Sequence, residues 1–262
     1  MKKSALNKEW GKLKKKEQNF IAGRMDRKDS ILNRMLSEKV PKKLQDTLDA
    51  AFAKAFSLIF AKGTGVIEKT YQREKIEEDY QVRQYTAEVK QDKKSLRAFS
   101  RKARDTGTKN LLISGASGIG MGLLGIGLPD IPLFTGMILK NVYEIALQYG
   151  YEYKSAEARY FILLVIQGAV SYGEPLMETE QSVNAFISEN CLPADYNENA
   201  QIGKTAGMLS KELLYMKFLQ GIPIVGIVGG AYDAIYMQRI TAYAGMKYRR
   251  RYLTDWDMKN QK

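Results

Sequence analysis

The sequence predicts an all-α protein: a single bundle-like helical domain that carries a glycine-rich apolar hairpin. Two observations lead there. Apolar residues recur at helical spacing through most of the chain. Six of 262 residues are proline, so helices are seldom interrupted. No stretch reads as a sheet strand. With 45% hydrophobic residues the chain can bury a sizeable core, and 27% charged residues argue against a polytopic membrane protein.

In chain order, the first element is marked by charge. Residues 1–43 hold fourteen Lys or Arg against five Asp or Glu, a net of +9. Residues 247–262 hold six against two, a net of +4, so the body between is near neutral within a total of +12. Residues 1–40 therefore read as a basic N-terminal extension and 41–262 as the helical domain. Neither an apolar run nor a small-residue cleavage site follows the positive cluster of MKKSALNKEWGKLKKK, which predicts residence in the cytoplasm.

Over 44–60, Leu44, Leu48, Phe52, Phe56 and Phe60 recur every four residues and define one helix face. Gly63 and Gly65 break it. A long polar helix is predicted over 66–103. Its apolar positions are Ile76, Tyr80, Val82, Tyr85, Val89, Leu96, Phe99 and Ala103, with Asp79 and Arg83 as a surface pair.

Residues 111–139 form the unusual part. Asp130 is their one charge, and six glycines fall between 115 and 127. In a regular helix six Gly cost about 5–6 kcal/mol relative to six Ala. Close helix approach, irregular backbone or lipid must compensate. Helical spacing resumes after Pro132 and continues through Leu139, Val142, Tyr143, Ala146 and Leu147 to Gly150. Ser155 is a suitable N-cap for a helix over 156–171, with Glu157 favouring its dipole. Helices follow over 176–189 and 198–219. A second glycine-rich segment, 221–236, opens the last helix, which runs into KYRRRY at 247–252.

Several chemistries can be set aside. There is no histidine, which excludes imidazole bases, Ser-His-Asp triads and histidine metal ligands. One cysteine, Cys191, allows no intrachain disulfide, and it reads as a packed small residue rather than a nucleophile. SGASGIG at 114–120 imitates a dinucleotide-binding turn. Its spacing is one residue short, no βαβ alternation follows, and Pro129 and Pro132 fall where a helix should run. Gly203-Lys204-Thr205 imitates the end of a phosphate loop, but Glu198 stands where the first glycine belongs. Asp130 is expected to cap the helix that begins at Ile131. The Tyr/Arg/Lys run at 243–252 suits single-stranded nucleic acid or a membrane interface.

KAFSLIFAKGTGVIEKTYQ (54–72), GIGLPDIPLFTGMILKNVYEIALQYGYEY (125–153), ARYFILLVIQGAVSYG (158–173) and IPIVGIVGGAYDAIYMQRITAYAGMKYRRRYL (222–253) together resemble the bacterial EcsC protein family. The resemblance covers about 40–260. Its core positions are Gly127, Pro129, Asp130, Pro132, Glu144 and Gly150, then Gly221, Pro223, Gly226, Gly229 and Asp233. It implies an accessory role, since the namesake gene neighbours those of an ABC transporter's ATPase and membrane subunits. The family has no established catalytic activity, so the resemblance brings no catalytic residue, metal ligand or cofactor.

The leading expectation is a non-enzymatic accessory protein at the inner face of the plasma membrane. Leu123, Leu124, Ile126, Leu128, Ile131, Leu133 and Phe134 are the candidate lipid contacts. Lys12, Lys14, Lys15, Lys16, Lys247, Arg249, Arg250 and Arg251 are the candidate contacts to an anionic surface. An ABC transporter is the implied protein partner, and nucleic acid is the less favoured polyanion. Two rival readings remain open. One is a soluble helical interaction protein whose glycines form a close-packed core. The other is an enzyme or metal binder using Asp130, Glu144 or Asp233.

Overall fold

The computed structural model describes residues 3–25, 40–121, 130–219 and 231–260. The helices are α1 (Lys3–Met25), α2 (Lys42–Leu58), α3 (Thr64–Glu68), α4 (Arg73–Lys90), α5 (Lys93–Met121), α6 (Asp130–Gln148), α7 (Ala156–Val170), α8 (Gly173–Glu189), α9 (Glu198–Leu219) and α10 (Ala231–Asn260). A π-helical turn, Ile59–Gly63, joins α2 to α3. No strand occurs among the described residues.

The core is centred on α7. Nearly every residue from Ala158 to Val170 is buried, as expected for a helix that is apolar on all sides. Ser155 caps it, its Oγ accepting the Ala158 N–H at 3.2 Å. Helices α8, α9 and α10 pack around α7, while α6 and α5 pack on α10. Phe52 and Phe56 of the apolar face predicted over 44–60 are buried, as are Phe161 and Val165 of α7.

Two glycines set helix spacing. A Cβ on Gly107 of α5 would fall 2.1 Å from Thr241 Cγ2 of α10. One on Gly168 of α7 would fall 2.3 Å from Tyr243 Cζ. At both crossings the hydrogen side chain is what lets the helices approach.

Three expectations need correction. The helix over 66–103 is broken: α4 ends at Gln91, which adopts left-handed φ 49°, and α5 starts afresh. Asp92 caps the new helix, its Oδ1 accepting the Ser95 N–H at 2.7 Å. Asp79 does not pair with Arg83. It meets Lys102 at 3.1 Å, while Arg83 reaches across to the Gln148 side chain at 2.7 Å. Residues 3–25 are not set apart from the body. They form α1, which packs on α10, α5 and α8. Its inward positions are Leu6, Glu9, Leu13 and Glu17, spaced by three and four and all buried. Two of the four are glutamates, so a search for apolar periodicity passes over the face.

Candidate functional site

Pairings between helices fix their directions. Phe99 of α5 lies against Tyr252 of α10 with ring centroids 4.5 Å apart, while Gly107 meets Thr241. The two helices are therefore antiparallel, and Met121 and Ala231 lie toward the same end. Asn141 of α6 donates to Thr241 Oγ1 at 2.8 Å, and Tyr149 packs by Tyr252 at 6.0 Å, so α6 runs parallel to α10 and Asp130 joins that end. The Glu212 carbonyl of α9 accepts the Tyr236 hydroxyl at 2.7 Å, which brings Leu219 there too.

The same reasoning adds α1 and α2. Trp10 donates to Asp257 at 2.7 Å and Phe20 packs on Tyr243 at 5.1 Å, so α1 is antiparallel to α10 and Met25 points to the shared end. Gln45 donates to Ser210 at 2.8 Å, and the Phe60 carbonyl accepts from Arg159, which pairs with Glu198 at 3.4 Å. Hence α2 is antiparallel to α9, and Lys42 starts from that end. The helix ends at Met25, Lys42, Met121, Asp130, Leu219 and Ala231 converge on one pole of the bundle. They border residues 26–39, 122–129 and 220–230.

The described surface near this pole includes exposed apolar side chains. Met25 is 41% and Leu133 50% exposed. Lys42 and Lys43 are exposed at the start of α2. Of the predicted lipid contacts, Leu133 is presented to solvent. Ile131 and Phe134 are not: they are buried, with Phe134 edge-on to Phe52 at 6.4 Å. On a helix, residues at i and i+3 share a face, and here that face packs on α2. Leu123, Leu124, Ile126 and Leu128 lie outside the described residues, as do Gly127, Pro129, Gly221, Pro223, Gly226 and Gly229. The helical stretch Lys42–Glu68 is long and apolar enough to cross a membrane by length and composition; Phe52, Phe56 and Phe60 are buried in it, while Leu58 and Val66 are exposed.

The predicted cationic contacts divide. Lys12, Lys14, Lys15 and Lys16 are exposed on α1, along the flank of the bundle rather than at the pole. Lys247 is corrected: it is 1% exposed and lies between Glu180 at 2.6 Å and Glu17 at 3.0 Å. Arg250 forks onto Glu17, and the Tyr243 hydroxyl donates to Glu180 at 2.7 Å. This ionic knot ties α1, α8 and α10 together. Arg249 pairs with Glu9, and Arg251 stacks 4.2 Å from the Tyr151 ring centroid. Composition shows a basic C-terminal run; pairing consumes most of its charge internally.

A cleft of about 440 Å³ opens on the flank between α1, α5 and α10. Lys16, Arg104 and Arg249 line it, and no carboxylate does. Leu13 and Ala103 supply apolar wall, and the Ser100 and Tyr149 hydroxyls stand 3.5 Å apart beside them. Partial burial, then the charges of Arg249 and Arg104, hold the Lys16 ammonium below its ordinary value. The sequence names Lys16 and Arg249 for a different role. It offers no signal for Arg104 as their neighbour, because the three come from separate helices.

A second exposed feature lies on α4. Val82, Tyr85 and Val89 are 67%, 69% and 64% exposed, and their spacing places them on one stripe.

The carboxylate reading finds little geometry. Glu144 is buried and meets Lys140 at 3.9 Å. Asp130 and Asp233 lie within helices, and their side chains are outside the described residues. No group of three or more potential metal ligands occurs among the described residues. Residues 114–120 and Gly203-Lys204-Thr205 sit inside α5 and α9, so neither is a strand-to-helix phosphate loop. Cys191 is exposed rather than packed, its Sγ 3.7 Å from Glu189. Gly150 has φ 82°, a conformation that L side chains rarely adopt, and a Cβ there would fall 2.2 Å from Tyr80.

The profile of the EcsC protein family matches residues 5–253, so the match includes α1. No curated protein and no solved structure matches the chain.

Proposed function

This chain belongs to the EcsC protein family, and on that premise we propose that it is a non-enzymatic accessory protein of the inner membrane surface. The convergence of six helix ends on one pole carries the reading. The segments that those ends border, 122–129 and 220–230, are among the most apolar and glycine-rich in the chain. Exposed Met25 and Leu133 extend the apolar character, and Lys42 and Lys43 add positive charge beside it. Each cation near an anionic leaflet contributes about 1 kcal/mol. Apolar contact contributes a part that salt does not screen. An ABC transporter or secretion system is the partner the family suggests. Co-flotation of the folded protein with anionic liposomes tests the proposal.

A second reading, a helical interaction protein, is supported by the stripe of Val82, Tyr85 and Val89. Such spacing is what an amphipathic helix offers to an apolar groove. Tyr85→Asp with Val89→Asp tests it: the pair should abolish partner capture in crosslinking while leaving flotation intact.

A further inference from the structure

We infer that the flank cleft between α1, α5 and α10 binds a small organic phosphate, held by Lys16, Arg104 and Arg249. Three cations converge on one concavity whose lining holds no carboxylate. Glu9, the acid partner of Arg249, is shared with Arg97 at 3.0 Å and Lys12 at 3.6 Å, so one carboxylate serves three cations. Like charges held together are unfavourable without an anion between them. Burial first, and then the charges of Arg249 and Arg104, lower the Lys16 ammonium, and an anion beside it would relieve both.

Shape and chemistry narrow the ligand. Phosphate suits the arrangement because guanidinium groups donate two parallel N–H bonds to its oxygens. Ser100 adds a neutral hydroxyl donor at the same wall, its oxygen accepting from the Tyr149 hydroxyl at 3.5 Å. A volume of about 440 Å³ exceeds what inorganic phosphate fills and falls within the usual range for small-molecule sites. The apolar wall of Leu13 and Ala103 then accommodates an organic substituent. A soluble phosphomonoester and the headgroup of a phosphatidic acid share this chemistry.

The site is distinct from the membrane-facing pole. Gly107 lines the cleft, and the fourteen residues from there to Met121 span about 21 Å of helix. A bilayer resting on the pole does not reach the cleft, so ligand binding and flotation can fail separately.

Isothermal titration of the full chain with glycerol 3-phosphate, dihexanoyl phosphatidic acid and inorganic phosphate tests the assignment. Saturable binding of at least one organic phosphate is expected, tighter than that of inorganic phosphate. Lys16→Gln with Arg104→Gln should weaken it about tenfold or more, the loss expected from removing charge-assisted hydrogen bonds. Lys8→Gln with Lys15→Gln removes the same charge from the exposed side of α1 and should change it less than about twofold. Tighter binding of the lipid than of glycerol 3-phosphate identifies a headgroup site; the reverse identifies a soluble ligand. In the unsubstituted chain, the bound ligand should also slow acetylation of Lys16 by acetic anhydride relative to Lys15. No saturable binding of any probe, equal losses in the two double variants, or equal acetylation with and without ligand would overturn the inference.

Discussion

Lys247 and Glu180 form a buried ion pair, with Nζ 2.6 Å from the carboxylate and the lysine 1% exposed. The pair joins α10 to α8, and Glu17 of α1 completes it at 3.0 Å. Removing one partner leaves uncompensated charge in the interior. Lys247→Met should therefore destabilise by about 3–5 kcal/mol in denaturant unfolding. Lys259→Met, on the exposed last turn of the same helix, should stay within about 0.5 kcal/mol. Equal midpoints for the two variants would show that the knot contributes nothing.

Acid should loosen the same knot. Burial pushes the Glu17 carboxyl up, but Arg250 and Lys247 outweigh it and hold it below the ordinary value of 4.5. A carboxylate whose folded pKa is depressed stabilises the fold above its unfolded pKa. That contribution is lost as pH falls through the folded pKa. The stability gap between the wild type and Glu17→Gln should thus be widest near neutrality and narrow below about pH 4. A gap that stays constant from pH 7 to 3 contradicts the assignment.

The glycine crossings give opposite signs at different positions. Gly107→Ala and Gly168→Ala drive a Cβ against Thr241 and Tyr243, which should cost about 1–3 kcal/mol each. A Cβ on Gly203 in α9 meets nothing within 4 Å. Gly203→Ala should be stabilising by about 0.5–1 kcal/mol through helix propensity. Thermal midpoints of the three variants check this, and a stabilised Gly168→Ala would show that α7 and α10 are not packed as described.

The aromatic core is testable by truncation. Phe56 and Phe161 are fully buried, so replacement by Ala should cost about 3–5 kcal/mol in either case. Unchanged denaturation midpoints would remove both from the core.

How much of this was legible in sequence follows from which residues do the packing. Helices α6 and α7 were readable because most of their buried positions are apolar and their limits carry Gly150 and Ser155. Helix α1 was hidden because Glu9 and Glu17 occupy inward positions, where lysine and arginine from α5 and α10 neutralise them. The break at Gln91 does carry a sequence signal: Asp92 and Ser95 stand three apart, as a cap and its recipient do. The basic C-terminal run misled because composition counts charge without its partners, and Lys247 lies between two glutamates. Phe134 sits one position beyond Leu133, yet one faces α2 and the other faces solvent. A hydrophobic cluster in sequence does not distinguish them. Neither the pole nor the cleft was legible, since each depends on helix directions and residues distant in the chain.

The central claim is that the pole contacts an anionic bilayer, and flotation with phosphatidylglycerol liposomes tests it most directly. Leu133 is the exposed member of its cluster, so Leu133→Asp alters the contact without opening the core; Phe134→Asp would confound contact with unfolding. The folded chain should float at low salt, and a fraction should remain bound at salt high enough to shorten the Debye length to about 3 Å. Leu133→Asp, with an unchanged circular dichroism spectrum, should lose that salt-resistant fraction. If the folded wild-type chain does not float even at low salt, the membrane account is contradicted.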